Sequence, residues 1–501
     1  MLRFLLLLFS LISAISSAIF FMVSIKVKLR FAEVAETLLY LSLSFTTASI
    51  LLLLHYLITD DFSIAYVYFN SEREMGFEYK ISALWAGKEG TLLLWNFFNL
   101  FIVSFFTNTG KKDAKKAKAL GIMMVCSSAL LLLNLLYNPF NSLPFKHLNG
   151  LGMNPLLRTP EMIFHPPLVF LSYSLVICAY ACRLAGVEER NIVKIAWFFS
   201  TAGIVLGGLW AYRTLGWGGF WGWDPVENSS LLLWLSLTAY FHLKKGRDLF
   251  IYLAMIFVFF TAFITRSGIL SSVHSFGEDP AGFAYLLFAL TSAFPLIRKW
   301  RIEDRCYTSL LFAAMILLVS LGTVANLFKN IDRTYYLLTF SPLFLITVFA
   351  ILYRLRKSRK KILHLGVILL FIGANSVWFF EQKEVLELNP FGEADGIKFH
   401  LKDFIVHQDE EKTILKAKIT SDIGIIEPEL LIYPRTSIPR VYVINTPLMD
   451  YYFAIRDVGE NYVKLEFYKV PLISFVWLGS ILILIGLVSQ KLNLIKFLRS
   501  P

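Results

Sequence analysis

Long apolar runs separated by short polar or basic breaks fill most of the chain. Runs able to cross roughly 30 Å of hydrocarbon lie near 3–24, 34–58, 92–107, 118–137, 166–186, 194–212, 229–243, 248–265, 281–297, 308–327, 336–355, 362–380 and 470–489. This pattern predicts an all-α polytopic membrane protein with about thirteen transmembrane helices. From 381 to 469 the periodicity changes. IKFHLKDFIVH, TILKAKIT, VYVINT and YVKLEFY alternate apolar and polar positions, which predicts a small antiparallel β domain. The predicted organisation is a helical bundle over 1–380, a β domain over 381–469, and a last span with its tail over 470–501.

Lys and Arg orient these spans. They fall overwhelmingly in alternate loops, among them Lys26 to Arg30, KKDAKKAK, Lys244 to Arg247, Arg298 to Arg305, RLRKSRKK and the C-terminal tail. The positive-inside rule then puts the N-terminus outside, the C-terminus in the cytoplasm and the β domain on the outer face. Reading the first run as a cleaved signal peptide would place every Lys cluster on the wrong side, so it is kept as a helix.

Composition agrees, with 56% hydrophobic residues, 17% charged residues and a mean hydropathy of +0.62. The net charge of +12 is therefore a membrane-topology signal and not a nucleic-acid footprint. The four cysteines, Cys126, Cys178, Cys182 and Cys306, form no CxxC pair. That excludes a disulfide framework, a thiol oxidoreductase and a c-type haem attached to this chain.

One stretch, WGGFWGWDPVE from Trp217 to Glu227, is too rich in Gly for a spanning helix and too aromatic for an ordinary loop. With its flanks, 213–228, it falls on the outer side. A flat apolar ligand with a polar rim, such as a porphyrin, would cover its indoles, and Gly218, Gly219 and Gly222 would let the backbone approach that ligand. An interfacial aromatic belt is the other reading of the same residues.

Topology also sorts the eight histidines. His165, in FHPPL, and His274, in TRSGILSSVHSF, flank the aromatic run at the outer surface, either as axial ligands of a stacked macrocycle or as interfacial residues. His242 and His364 lie near the cytoplasmic ends of two spans and point to a resident haem b held without covalent attachment, or else snorkel to the boundary. Arg266, at the outer edge of a span, suits a haem propionate, Asp224 or Glu227; it is otherwise an interfacial cation. No nucleotide loop, HExxH or nucleophile elbow is present.

Taken with ALWAGKEGTLLLW, NPLLRTPEMIFHPPL, WGGFWGWDPVENSSLLLWL and HLGVILL, these residues resemble the WWD-domain haem-handling family, most closely its CcmF-type haem lyases. The likeness runs through nearly the whole chain in the family's order. It implies a cytochrome c haem lyase in a bacterial or archaeal inner membrane, with its functional loops on the periplasmic face. A CcmE-type chaperone would deliver a second haem, the substrate, to a loop in which Trp217, Trp221, Trp223, Asp224 and Glu227 present it. Gly218, Gly219, Phe220 and Arg266 would complete that site, and His165 and His274 would flank it. Haem b on His242 and His364 would pass electrons to the incoming haem, with a quinol as reductant. CcmH- or CcmI-type proteins would handle apocytochrome c, whose CxxCH thiols take the haem vinyl groups.

The sequence departs from the family in two ways. Phe220 stands where Trp is usual, and the chain is shorter than many members between His274 and His364. A haem transport or chaperone module that forms no thioether is the alternative function, and a general polytopic transporter is a third.

Overall fold

The computed structural model describes the chain except residues 1, 28–29, 111–112, 244–245, 271, 273–281, 300–306, 330, 356–357, 359, 410–411, 435, 460–461 and 490–501. Ten helices lead up to Ser267: α1 (Leu2–Lys26), α2 (Arg30–Ile58), α3 (Ala65–Asn70), α4 (Phe77–Ser82), α5 (Lys88–Thr107), α6 (Ala114–Leu136), α7 (Pro160–Ala185), α8 (Arg190–Thr214), α9 (Pro225–His242) and α10 (Asp248–Ser267). Then follow α11 (Gly282–Ser292), α12 (Phe294–Lys299), α13 (Tyr307–Ala325), α14 (Arg333–Leu355), α15 (Lys361–Phe380) and, after the strands, α16 (Ile473–Val488).

Among the described residues nine helices are long and apolar enough to cross a membrane, and Gly282–Ile297, Leu310–Ala325 and Ile473–Val488 are shorter apolar helices. The run expected as one span over 281–297 is broken at Ala293. Pro295 explains the break, because it has no N–H to donate and its ring crowds the carbonyl one turn back.

Small polar residues hold the first two spans together. Ser10 meets Ser42 and Thr46 at 3.1 and 2.7 Å, and Ser17 donates to the Ala35 carbonyl at 2.7 Å. Such contacts stand in for the hydrophobic driving force that lipid removes. The antiparallel pair α15 and α16 meets backbone to backbone. A side-chain carbon at Gly366 would lie 2.6 Å from the Gly479 carbonyl, so glycine is required there.

The strands are β1 (Gln382–Leu388), β2 (Phe391–Ala394), β3 (Ile397–Gln408), β4 (Thr413–Ser421), β5 (Gly424–Ile426), β6 (Glu429–Tyr433), β7 (Thr436–Arg440), β8 (Tyr442–Asn445), β9 (Met449–Val458) and β10 (Val463–Pro471). They form two antiparallel sheets, one in the order β1-β10-β9-β8 and one in the order β2-β3-β4-β6-β7 with β5 on β4. Leu388, Phe399, Ile419, Phe453 and Phe467 make a common core, in which Phe453 and Phe467, direct cross-strand partners, stack at 5.1 Å. Pro439 sits in β7, the terminal strand of its sheet, where a missing ladder donor is tolerated.

This β region is seated on the helices. Tyr212 of α8 donates to buried Asp450 of β9 at 3.0 Å, and Arg456 donates to the Gly216 carbonyl at 2.7 Å.

Candidate functional site

The aromatic run joins α8 to α9, and its last four residues are a helix start. Asp224 caps α9 and accepts from the Val226 amide at 2.8 Å. Glu227 reaches back to the amides of Gly222 and Asp224 at 2.9 and 3.0 Å. This is a capping box with Pro225 at the first helical position. The two carboxylates therefore fold the loop. The Ser272 hydroxyl, donating to Asp224 at 2.7 Å, ties the loop to the segment after α10.

The four aromatic rings point in different directions. Trp223 is buried, with φ at +59°, a conformation costly for a residue with a side chain. Its ring stacks on Tyr336 at 4.7 Å and 4°, with Phe340 and Trp378 at its edges, and Asn228 holds its carbonyl at 2.9 Å. Phe220 is also buried and lies parallel to Trp378 at 6.1 Å. These two rings are covered by the protein's own aromatics and not by an open shelf. Trp217 is half-buried, and its ring occupies the space a side chain at Gly222 would need. Gly218, with φ at +77°, lies against Tyr468 and Glu381, and Gly216 lies against Pro439. The β region thus covers the start of the loop while its end turns into the bundle. Gly219 packs beside the Trp217 ring.

Trp221 is half-buried between two cavities. One, of about 560 Å³, is lined by His165, Ser200, Gly207, Trp221 and Glu227. It abuts a larger cavity of about 1130 Å³, counting its open mouth, with which it shares His165, Val169, Tyr173, Val226 and Ser230. On the other side of the indole an apolar cavity of about 870 Å³ lies among α8, α9, α14, α15 and α16.

His165 donates from Nδ1 to the Gly203 carbonyl at 2.7 Å. That bond fixes the tautomer, so Nε2 carries the ring's lone pair. Gly207 makes room for the imidazole, since a side-chain carbon there would lie 2.8 Å from the ring. The Pro166-Pro167 pair that follows shapes the same wall. Pro166 has no amide hydrogen for the Met162 carbonyl one turn back, and the Trp85 indole donates to that carbonyl instead, at 2.8 Å. Trp85 and Trp95 line the large cavity with Tyr173 and Tyr285, and Lys88, Glu161 and Arg266 add charged groups to the lining.

His242 and His364 form a separate pair. His242 Nδ1 bonds the Thr238 carbonyl at 2.8 Å, and His364 Nδ1 bonds the Lys360 carbonyl at 3.0 Å and the Ser358 hydroxyl at 2.9 Å. With Nδ1 engaged on each, the Nε2 atoms are the remaining ligand positions, a donor set that fits an iron already held by four porphyrin nitrogens. His274 lies outside the described residues.

Several residues of the site carry no sequence signal of their own. Tyr336, Phe340, Trp378 and Trp477 come from distant helices to cover the loop's rings. At the β interface, Lys383, Arg456 and Tyr468 converge on Glu466 at 2.6 to 2.7 Å. Burial opposes the Glu466 charge, but these donors prevail and hold the carboxyl below its ordinary value. Burial raises Asp450 and Glu381 instead, against weaker opposition from their partners.

The chain is similar to known proteins in sequence and in fold. A family model described as "Cytochrome C assembly protein" matches residues 85–271, which run from Trp85 past Arg266. The probable cytochrome c-type biogenesis protein NrfE of Escherichia coli is 30% identical over 495 residues, covering 85% of this chain and 89% of its own. CcmF of E. coli is 36% identical over 276 residues, half of this chain, and ccl1 of Rhodobacter capsulatus is 36% identical over 261 residues, 46% of this chain. The matches span only 42% of CcmF and 39% of ccl1. A solved structure titled Cytochrome c Heme Lyase CcmF superposes over 100% of this chain and 98% of its own, with a TM-score of 0.79 at 17% identity, and so shares the fold. The chain belongs to the family of cytochrome c-type biogenesis proteins that includes NrfE and CcmF.

Proposed function

We propose that this protein is a multi-pass membrane haem lyase. It takes haem from a CcmE-type chaperone and joins the vinyl groups to the CxxCH thiols of apocytochrome c, with CcmH- or CcmI-type proteins presenting the apoprotein. The observation that carries this reading is His165. Its Nδ1 is committed to Gly203, and its ring stands in the wall shared by two cavities, the larger of which is also lined by Lys88 and Arg266. A flat iron macrocycle with two carboxylates needs an imidazole, aromatic walls and cations, and those groups converge here. The orientation that best accommodates the basic loops puts this site and the β region on the periplasmic face.

Thioether formation adds S–H across a vinyl C=C. A C–S and a C–H bond form, the S–H and π bonds break, and no electrons are gained or lost. The protein's task is to place two reactants rather than to move protons. In this reading His165 holds the substrate iron from one side, Lys88 and Arg266 take its propionates, and Trp221 walls the cavity. Trp217, Gly218 and Gly219 anchor the start of the loop under the β region, while Asp224 and Glu227 act by setting the loop's shape. His242 and His364 would hold a resident haem b without a covalent link, and that group, when bound, would supply electrons from a quinol for keeping the substrate iron reduced.

The test is reconstitution of the purified chain with haem-loaded chaperone and a CxxCH peptide, read by mass spectrometry for a covalent haem-peptide. Formation of the adduct, lost with His165→Ala, is expected. Haem transfer without an adduct would favour the chaperone alternative.

A further inference from the structure

A separate cleft of about 820 Å³ lies between the outer loops of the bundle and the edge of the second sheet. Residues near α4, the turn before α7, the end of α8 and strands β6 and β7 line it. Its charged lining residues are Arg158, Arg213, Lys412 and Arg440, and among the described residues no carboxylate lines it. Each cation has an acidic partner, Glu72, Glu161, Asp409 or Glu429, that stands outside the lining. The side chains of Arg213 and Arg440 remain 62% and 57% exposed. Arg158 also donates to the Met153 carbonyl, whereas the exposed guanidinium groups of Arg213 and Arg440 each have five donors, more than one carboxylate engages.

The space the cleft offers to water-sized groups, about 250 Å³, exceeds a single small inorganic anion, which displaces only a few waters of about 10–15 Å³ each by the same measure. Its wall sets Tyr79, Tyr433 and Thr159 beside the cations, together with the apolar Met75, Leu431 and Ile438. Pro439 removes a ladder donor from the free edge of β7, which argues for recognition through side chains rather than by strand addition. The position is informative as well. Pro439 packs on Gly216 at the start of the Trp-rich loop, and Arg213 pairs with Glu161, which lines the large cavity.

We propose that this cleft binds an extended, carboxylate-rich peptide segment of a soluble protein partner and so holds that partner beside the cavity. What the partner exchanges there rests on the haem lyase reading; the peptide chemistry does not.

The probe is a fluorescein-labelled Glu-Gly repeat peptide, with a Lys-Gly repeat as its counterpart, titrated by anisotropy into the full-length chain in detergent. Binding of the acidic peptide alone is expected, weakened by salt and by about tenfold in a Lys412→Gln/Arg440→Gln double variant. Lys398→Gln, on an exposed part of β3, should bind like the parent. Equal binding by the double variant and the parent would overturn the proposal, as would displacement of the peptide by phosphatidylglycerol, which would mark a lipid headgroup site. Haem absorption read on the same samples separates the two ideas: peptide binding without haem leaves the cleft standing, and haem without peptide binding removes only the cleft.

Discussion

The His165 ring donates from Nδ1 to the Gly203 carbonyl at 2.7 Å and packs over Gly207, so one helix fixes both the tautomer and the position of an imidazole on its neighbour. Gly207→Ala adds a carbon where the ring now sits. Displacing a positioned group by about 1 Å costs on the order of a hundredfold in rate. We expect Gly207→Ala to depress covalent cytochrome c formation by about that factor while the folded yield, measured by gel filtration, holds.

The second imidazole pair allows a spectroscopic test. His242→Ala and His364→Ala should each abolish the bis-histidine absorption of the purified protein, whereas His165→Ala should leave it intact. Full haem content in both of the first two variants would remove the resident site.

The rings of the aromatic run should separate by what they touch. Trp223 is buried and stacked on Tyr336, so Trp223→Ala should destabilise by about 3–5 kcal/mol, read as a lower unfolding temperature or as loss of the folded protein. Trp221→Ala, on a half-buried ring facing cavities, should keep most of the stability and lower occupancy of the substrate haem.

Removing the helix cap isolates the role of the carboxylates. Asp224→Ala should cost about 0.5–2 kcal/mol, and Asp224→Asn or Asp224→Ser should recover most of it, because those side chains also cap. A direct chemical role for the acid would show as activity that Asn and Ser fail to rescue at restored stability.

Glu466 sets a pH dependence at the β interface. Its carboxyl is held below its ordinary 4.5 in the folded chain despite burial, through bonds from Lys383, Tyr468 and Arg456. The stabilisation is therefore complete above about that value and is lost as pH falls through the lower folded value. Thermal unfolding scanned downward from neutral pH should show this loss, and Glu466→Gln should flatten it.

Much of this molecule was legible in its sequence. The apolar runs located the long helices but not the short α3 and α4, alternation located strands such as β3 and β10, and the composition of Trp217 to Glu227 marked the loop. Asp224-Pro225-Val226-Glu227 even carries the local signature of a helix start. What the pattern withheld was direction and partnership. Nothing in WGWD says that Trp223 takes a positive φ and turns inward, because Tyr336 and Trp378, which cover it, arrive from helices more than a hundred residues away. The role of Trp85 was hidden for the same reason: it depends on a carbonyl released by Pro166 on another helix.

The β region is an insertion between α15 and α16, two helices in backbone contact at Gly366 and Gly479. Its chain enters and leaves through this one helix pair, and Asp450 and Arg456 of β9 fasten the strands again on Tyr212 and Gly216. Hairpins that touch neither of these fastenings are free to diverge without disturbing the cavities below, whereas any bulk added at the glycine crossing would tilt the whole canopy.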